Sequence, residues 1–169
     1  MIAAILGNGP SREAYYNHNT KYDIVVGCNV PWTDVDFTIV LDEEVIQRWR
    51  DEPDLITVPT YFSEHAWRET DTYKKRPFFE QYFKGLVKPL PEYDTSGHVA
   101  CSLLIKQGYN EIHVFGADVM FADTLESRSH EFFVNHPDVN SKHHMKGWRN
   151  RWQSILDNNP DCSIIFLER

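Results

Sequence analysis

One unit recurs along this chain: a short aliphatic run followed by glycine, asparagine or aspartate. Ile2–Leu6 leads into Gly7-Asn8-Gly9-Pro10-Ser11, and Ile24–Gly27 into Cys28-Asn29. Phe37–Leu41 leads into Asp42, and Ile112–Phe115 into Gly116-Ala117-Asp118. Leu55–Val58 and Ser163–Leu167 are two further runs. Apolar residues on consecutive positions suit strands buried on both faces, which is the condition of a parallel sheet. Segments of helical period lie between them. Glu43 to Arg50 is short; Ser96 to Gln107 puts Val99, Leu103 and Leu104 on one face and should stop at Gly108; Met145 to Asp157 aligns Trp148, Trp152 and Ile155. The alternation predicts an α/β fold, Rossmann-like, with a mostly parallel sheet flanked by helices and right-handed crossovers.

At 169 residues the chain has room for one compact domain, spanning 1–169. Two stretches break the pattern. Residues 60–94, rich in Tyr, Phe, Lys and Pro, read as an irregular insertion with one helix around Phe78–Phe83. Residues 119–142 are long and polar, as a lid would be. The net charge of −8 argues against non-specific binding to nucleic acid or to an anionic membrane. Arg12, Lys142, Lys146, Arg149 and Arg151 are the residues from which a local basic pocket would be built. No apolar stretch reaches the roughly 18 residues of a membrane span, and Met1–Leu6 lacks the length and leading charge of a signal peptide. Cys28, Cys101 and Cys162 lie singly in apolar runs, an odd number without CxxC spacing, and read as reduced thiols in a cytoplasmic protein. The sequence leaves a homo-oligomer open.

In a parallel sheet all strands point the same way, so Asn8, Asn29, Asp42 and Asp118 should converge on the carboxyl edge, where open α/β sheets bind ligands. Amide and carboxylate side chains there can hydrogen-bond a ribose or a base, and Gly7, Gly9 and Gly116 would let a ligand approach the backbone. Each of these residues is equally suited to a turn or a helix N-cap; the repetition over four strand ends is what favours a site. Gly7-Asn8-Gly9-Pro10-Ser11 lacks the full GxGxxG and the P-loop Lys, but it should open a short helix whose free amides suit a phosphate. Thr95-Ser96-Gly97 opens another, with Ser96 as its cap. His130, His136, His143 and His144 crowd one segment without metal-site spacing, so no metal is assigned. A histidine just before the last helix, His143 or His144, suits a general base, or is simply solvated.

Taken together, Ile-Leu-Gly-Asn-Gly-Pro-Ser at the start, Gly27-Cys28-Asn29, and the block Thr95-Ser96-Gly97 … Gly108-Tyr109-Asn110-Glu111-Ile112 … Gly116-Ala117-Asp118 resemble the bacterial sialyltransferases of glycosyltransferase family 42 and related Rossmann-like families opening with Gly-Asn-Gly-Pro-Ser. The resemblance implies a CMP-sugar donor held by Asn8, Ser11, Asn29, Thr95, Ser96 and Gly97. It also implies metal-independent inverting transfer to a glycan or other hydroxyl acceptor, no separate cofactor, and a lid histidine, His143 or His144, as base. This chain is much shorter than those enzymes. The family's two phosphate-binding tyrosines have no counterpart: Met120 and Phe121 stand near the first position, Glu126 near the second, and no Tyr follows Val119. Two alternatives stay open. One is a non-catalytic nucleotide-binding module. The other is a pterin-type diphosphokinase, whose Mg²⁺ would fall to Asp42 and Asp118.

Overall fold

A computed structural model describes residues 1–90, 94–121 and 142–168, the last from its backbone alone at 142–144. Seven strands form one sheet in the order β5-β4-β3-β2-β1-β6-β7, and every pairing is parallel. They are β1 (Ile2–Leu6), β2 (Ile24–Cys28), β3 (Phe37–Val40), β4 (Thr60–Ser63), β5 (Phe83–Val87), β6 (Glu111–Phe115) and β7 (Ser163–Leu167). The α/β, Rossmann-like expectation holds, and the sheet is parallel throughout.

Alternation along the strands builds a three-layer domain. Ala3, Ile5, Val26, Cys28, Phe37, Ile39, Ile112 and Val114 pack on one face against α4 (Ser96–Lys106) and α5 (Lys142–Asn158). Their neighbours face the other way. Ala4, Leu6 and Phe115 meet residues Ala14 and Tyr15 of a 3-10 segment, Pro10–Asn17. Val40 and Phe62 meet α1 (Glu43–Asp51), α2 (Glu64–Glu69) and α3 (Arg76–Glu80). The chain leaves β1 across this second face toward β2 and reaches β6 across the first, by α4. The direction of winding therefore reverses between β1 and β6, the kind of switch point at which open α/β sheets make their crevice.

Three expectations need correction. Leu55–Val58 is not a strand: a 3-10 turn covers Pro53–Leu55, and only Ile56 of the run is buried. Pro59, which has no N–H to give a ladder, follows it. The stretch 60–94 is no irregular insertion, because it supplies β4 and β5 and extends the sheet by two strands. Its aromatic residues build a second core around the fully buried Trp49, which stacks on Phe62 at 6.2 Å and meets Phe79 edge-on at 5.3 Å. The helix expected at Phe78–Phe83 is α3, Arg76–Glu80, and Phe83 instead starts β5. By contrast, α4 ends as expected, with Gly108 at φ +89 and the Tyr109 N–H returning to the Leu104 carbonyl. Most of the lid segment 119–142 lies outside the described residues. No helix among the described residues is long and apolar enough to cross a membrane.

Candidate functional site

Two polar clusters form at the carboxyl edge, and they differ in kind. The first joins the ends of β1 and β6. Here the backbones nearly touch: the Gly7 N–H donates to the Phe115 carbonyl at 2.7 Å and the Gly9 N–H to the Gly116 carbonyl at 3.0 Å. A Cβ on Gly7 would sit 2.6 Å from the Gly116 oxygen, and one on Gly9 only 1.7 Å from Asp118 Oδ2. Gly116 itself adopts φ +72, a left-handed conformation that favours glycine. These glycines admit backbone and a carboxylate of the chain itself.

The Asp118 carboxylate accepts from the Ser11 N–H at 3.1 Å and from the Ser11 hydroxyl at 3.2 Å, while the Gly116 N–H donates to Ser11 Oγ at 3.0 Å. The 3-10 start expected to cradle a phosphate thus already holds an anion, the side chain of Asp118. Arg12 closes the cluster from behind. It is 3% exposed, donates to Asn8 Oδ1 at 3.2 Å, and also hydrogen-bonds the Pro31 carbonyl.

The second cluster lies over the ends of β2 and β3, roofed by the start of α4. Asn29 is its hub. Its backbone sits at φ +53, in the left-handed region that few residues other than Gly and Asn tolerate. That conformation is held by its own N–H donating to the Ile39 carbonyl at 2.8 Å and by the Thr38 hydroxyl donating to its carbonyl at 2.8 Å. The side chain is then aimed across the rim. Its Nδ2 donates to Asp42 Oδ2 at 3.1 Å, and its Oδ1 accepts from the Ser96 hydroxyl at 3.2 Å. Asn8 joins from the adjoining strand end, its Nδ2 donating to the Cys28 carbonyl at 2.8 Å. Asn8, Asn29, Asp42 and Ser96, far apart in sequence, form one connected rim. Asn8 and Ser96 are buried, Asn29 is half-buried and Asp42 exposed, so solvent reaches the rim on the Asn29–Asp42 side.

The cap of α4 corrects a further expectation. Thr95, not Ser96, is the N-cap: its side chain accepts from the His98 backbone N–H, and its own N–H donates to His98 Nδ1 at 2.8 Å. Ser96 is therefore the first helical residue, and its hydroxyl is left to reach Asn29. Gly97 faces Trp152 of α5, where a Cβ would come within 3.2 Å of the indole, so its role is close helix packing.

His98 was not singled out in the sequence, although Thr-x-x-His in the spacing of a capping box was its signal. Fully buried, it also contacts the Trp148 carbonyl through Nε2 at 3.1 Å. Nδ1 accepts, so Nε2 carries the proton. Burial pushes the imidazole down to about 4, keeping it neutral. One ring thereby fixes the start of α4 against α5. A part-buried ion pair, Arg151 Nε to Asp94 Oδ1 at 2.7 Å, ties the residue before Thr95 to the same helix.

The remaining site residues divide plainly. Arg151 is engaged by Asp94, Arg149 donates to the Val119 carbonyl at 2.8 Å, and Arg12 is buried at the first cluster. The three serve separate places rather than one basic pocket. Asp42 and Asp118, the residues considered for Mg²⁺, are engaged by Asn29 and by Ser11 respectively. His143 and His144 fall in the first turn of α5, about one turn before Trp148, and their side chains lie outside the described residues, as do His130 and His136. Burial pushes the thiols of Cys28 and Cys101 up to about 12, which makes them poor nucleophiles at neutral pH.

Fold and site together define a class: an all-parallel, Rossmann-like α/β domain with a hydrogen-bonded polar rim at its carboxyl edge. Beyond that class the comparisons are silent, for no protein-family model, no curated protein and no solved structure matches the chain.

Proposed function

We propose that this protein binds a nucleotide-sugar, a CMP-sugar first among them, along the Ser96–Asn29–Asp42 rim, and that it acts as a glycosyltransferase. One observation supports this reading above the others. A half-buried Asn is held in a left-handed conformation and presents its amide between a helix start and a strand end. Such backbone conformations concentrate at ligand sites, where surrounding hydrogen bonds can enforce them. On binding, Asn29 and Ser96 exchange their mutual hydrogen bond for bonds to the base or ribose, and Asp42 accepts from a sugar hydroxyl. Asn8 and Thr95 hold this rim in shape. Inverting transfer then needs an aligned acceptor, a base and a stabilised leaving phosphate; His143 or His144 is the base.

The non-catalytic binding module stays in view on one observation, the absence of any Tyr after Val119 to meet the leaving phosphate. Donor-hydrolysis assays with CMP-sialic acid and a set of UDP-sugars, run beside nucleotide titrations by thermal shift, separate the readings. Turnover lost in the His143→Ala/His144→Ala double variant supports the transferase. A nucleotide-dependent shift without turnover supports the module. No shift with any nucleotide removes both.

A further inference from the structure

Adjacent parallel strands deliver more than the rim to the carboxyl edge. β3 leads through Leu41 and Asp42 into Glu43 at the start of α1, and β4 ends in Ser63 at the start of α2. The Ser63 hydroxyl donates to the Leu41 carbonyl at 2.9 Å and accepts from the Ala66 N–H at 3.1 Å, so one side chain both caps α2 and locks its start to the end of β3. Across this fixed junction His65 Nε2 lies 3.0 Å from Glu43 Oε2. Glu69, four residues beyond His65 on α2, shares its face. One donor atom each from Glu43, His65 and Glu69 lies within 4.8 Å of the others.

We propose that Glu43, His65 and Glu69 form a binding site for a divalent transition metal of the zinc type. Ligand bonds of about 2.0–2.2 Å set neighbouring donors of a tetrahedral ion roughly 3.4 Å apart. The Glu43–His65 pair, at 3.0 Å, lies close to that spacing, and a Glu69 oxygen lies within 4.8 Å of both, so an ion would draw the three donors together. An imidazole with two carboxylates favours Zn²⁺ or Co²⁺ over Mg²⁺ and Ca²⁺. Three protein ligands leave at least one position open to water or to a ligand. Without an ion, Glu43 and His65 hold each other by a hydrogen bond. Glu43 is remote in sequence from the His65–Glu69 pair, so no motif spacing announces the three together, and the site is independent of the nucleotide reading.

The test is calorimetric titration of Zn²⁺ into the full-length protein, with Mg²⁺ as comparison, for the native chain and the His65→Ala and Glu69→Gln variants. His65 is exposed, and circular dichroism checks that each variant keeps its fold. Zinc held at other histidines stays the same in all three proteins, so the difference isolates this site. The expected result is one equivalent of Zn²⁺ whose affinity falls at least about tenfold in each variant, with no saturable Mg²⁺ binding. Equal zinc stoichiometry and affinity in the native chain and His65→Ala overturns the proposal, as does a native chain that binds no zinc.

Discussion

The two polar clusters on the carboxyl edge begin from the same kind of sequence, a strand running into Asn, Asp and Gly, and end differently. At β1 and β6 the inward hydrogen-bonding groups are met within the chain: Gly7 and Gly9 by backbone carbonyls, Ser11 by Asp118. At β2 and β3 the amide of the hub residue is also met within the chain, by the Asp42 carboxylate and the Ser96 hydroxyl, but Asn29 is half-buried and Asp42 exposed. The first cluster welds two strand ends together. The second is built on that weld and keeps exchangeable polar groups beside solvent. A polar residue after a strand therefore marks the ligand edge of such a sheet without telling which strand end meets the ligand; the exposure of each hydrogen-bonded group decides that.

If the β1–β6 cluster is a weld, damaging it should cost stability above all else. The largest effect is expected for Gly9→Ala, whose Cβ would fall 1.7 Å from Asp118 Oδ2 and 2.7 Å from the Gly116 carbonyl. Urea unfolding should show a loss of about 3 kcal/mol or more. A loss under about 1 kcal/mol would mean that the two strand ends are not locked.

Nearly as large is the effect of acid on His98. Its unfolded imidazole has the ordinary value of 6.5 and its buried one about 4, so the unfolded chain takes up the proton first as pH falls. The stability owed to the neutral ring is complete above about pH 6.5 and drains away down to about pH 4, by roughly 3 kcal/mol. A His98→Gln variant, which can still accept and donate, should lose this pH slope in urea titrations; an unchanged slope would assign it to other groups.

Smaller again is Asp118→Ala, which removes the acceptor of the Ser11 N–H and hydroxyl proton. About 1–3 kcal/mol should be lost, with nucleotide affinity, if any, changed through the fold alone. Were stability unaltered but binding abolished, the roles of the two clusters would be reversed.

Much of this was legible in the sequence. β1, β2, β3, β6 and β7 are apolar runs; burial on both faces leaves little choice of structure for the first four, while β7, an edge strand without a buried residue, is legible from its run Ile164-Ile165-Phe166-Leu167 alone. β4 and β5 were hidden for a physical reason. β5 is the edge strand, with Lys84 and Gly85 in place of aliphatic residues and Phe83 and Leu86 exposed, and β4 beside it is largely buried but built from Thr60, Tyr61 and Ser63 around a single Phe62. Leu55–Val58 misled because composition alone does not report that Pro53 and Pro59 bracket it. In the site, the convergence of Asn8, Asn29 and Asp42 followed from parallel strands, whereas Asp118, expected beside them, closes on Ser11, and Ser96 reaches the rim from a helix start. The Asp118–Ser11 closure was not legible, because the sequence does not show whether an anion cradle will be filled by a ligand or by a residue more than a hundred positions away.

The central claim is that the Asn29 rim is the ligand-binding one, and Asn29→Gly tests it most directly. Glycine keeps φ +53 without strain and removes only the amide. Stability should stay within about 1 kcal/mol of the native value, while calorimetric affinity for the best of a panel of nucleoside mono- and diphosphates, CMP included, should fall at least about tenfold. A native chain that binds no nucleotide, or a glycine variant that binds as tightly as the native one, would contradict it.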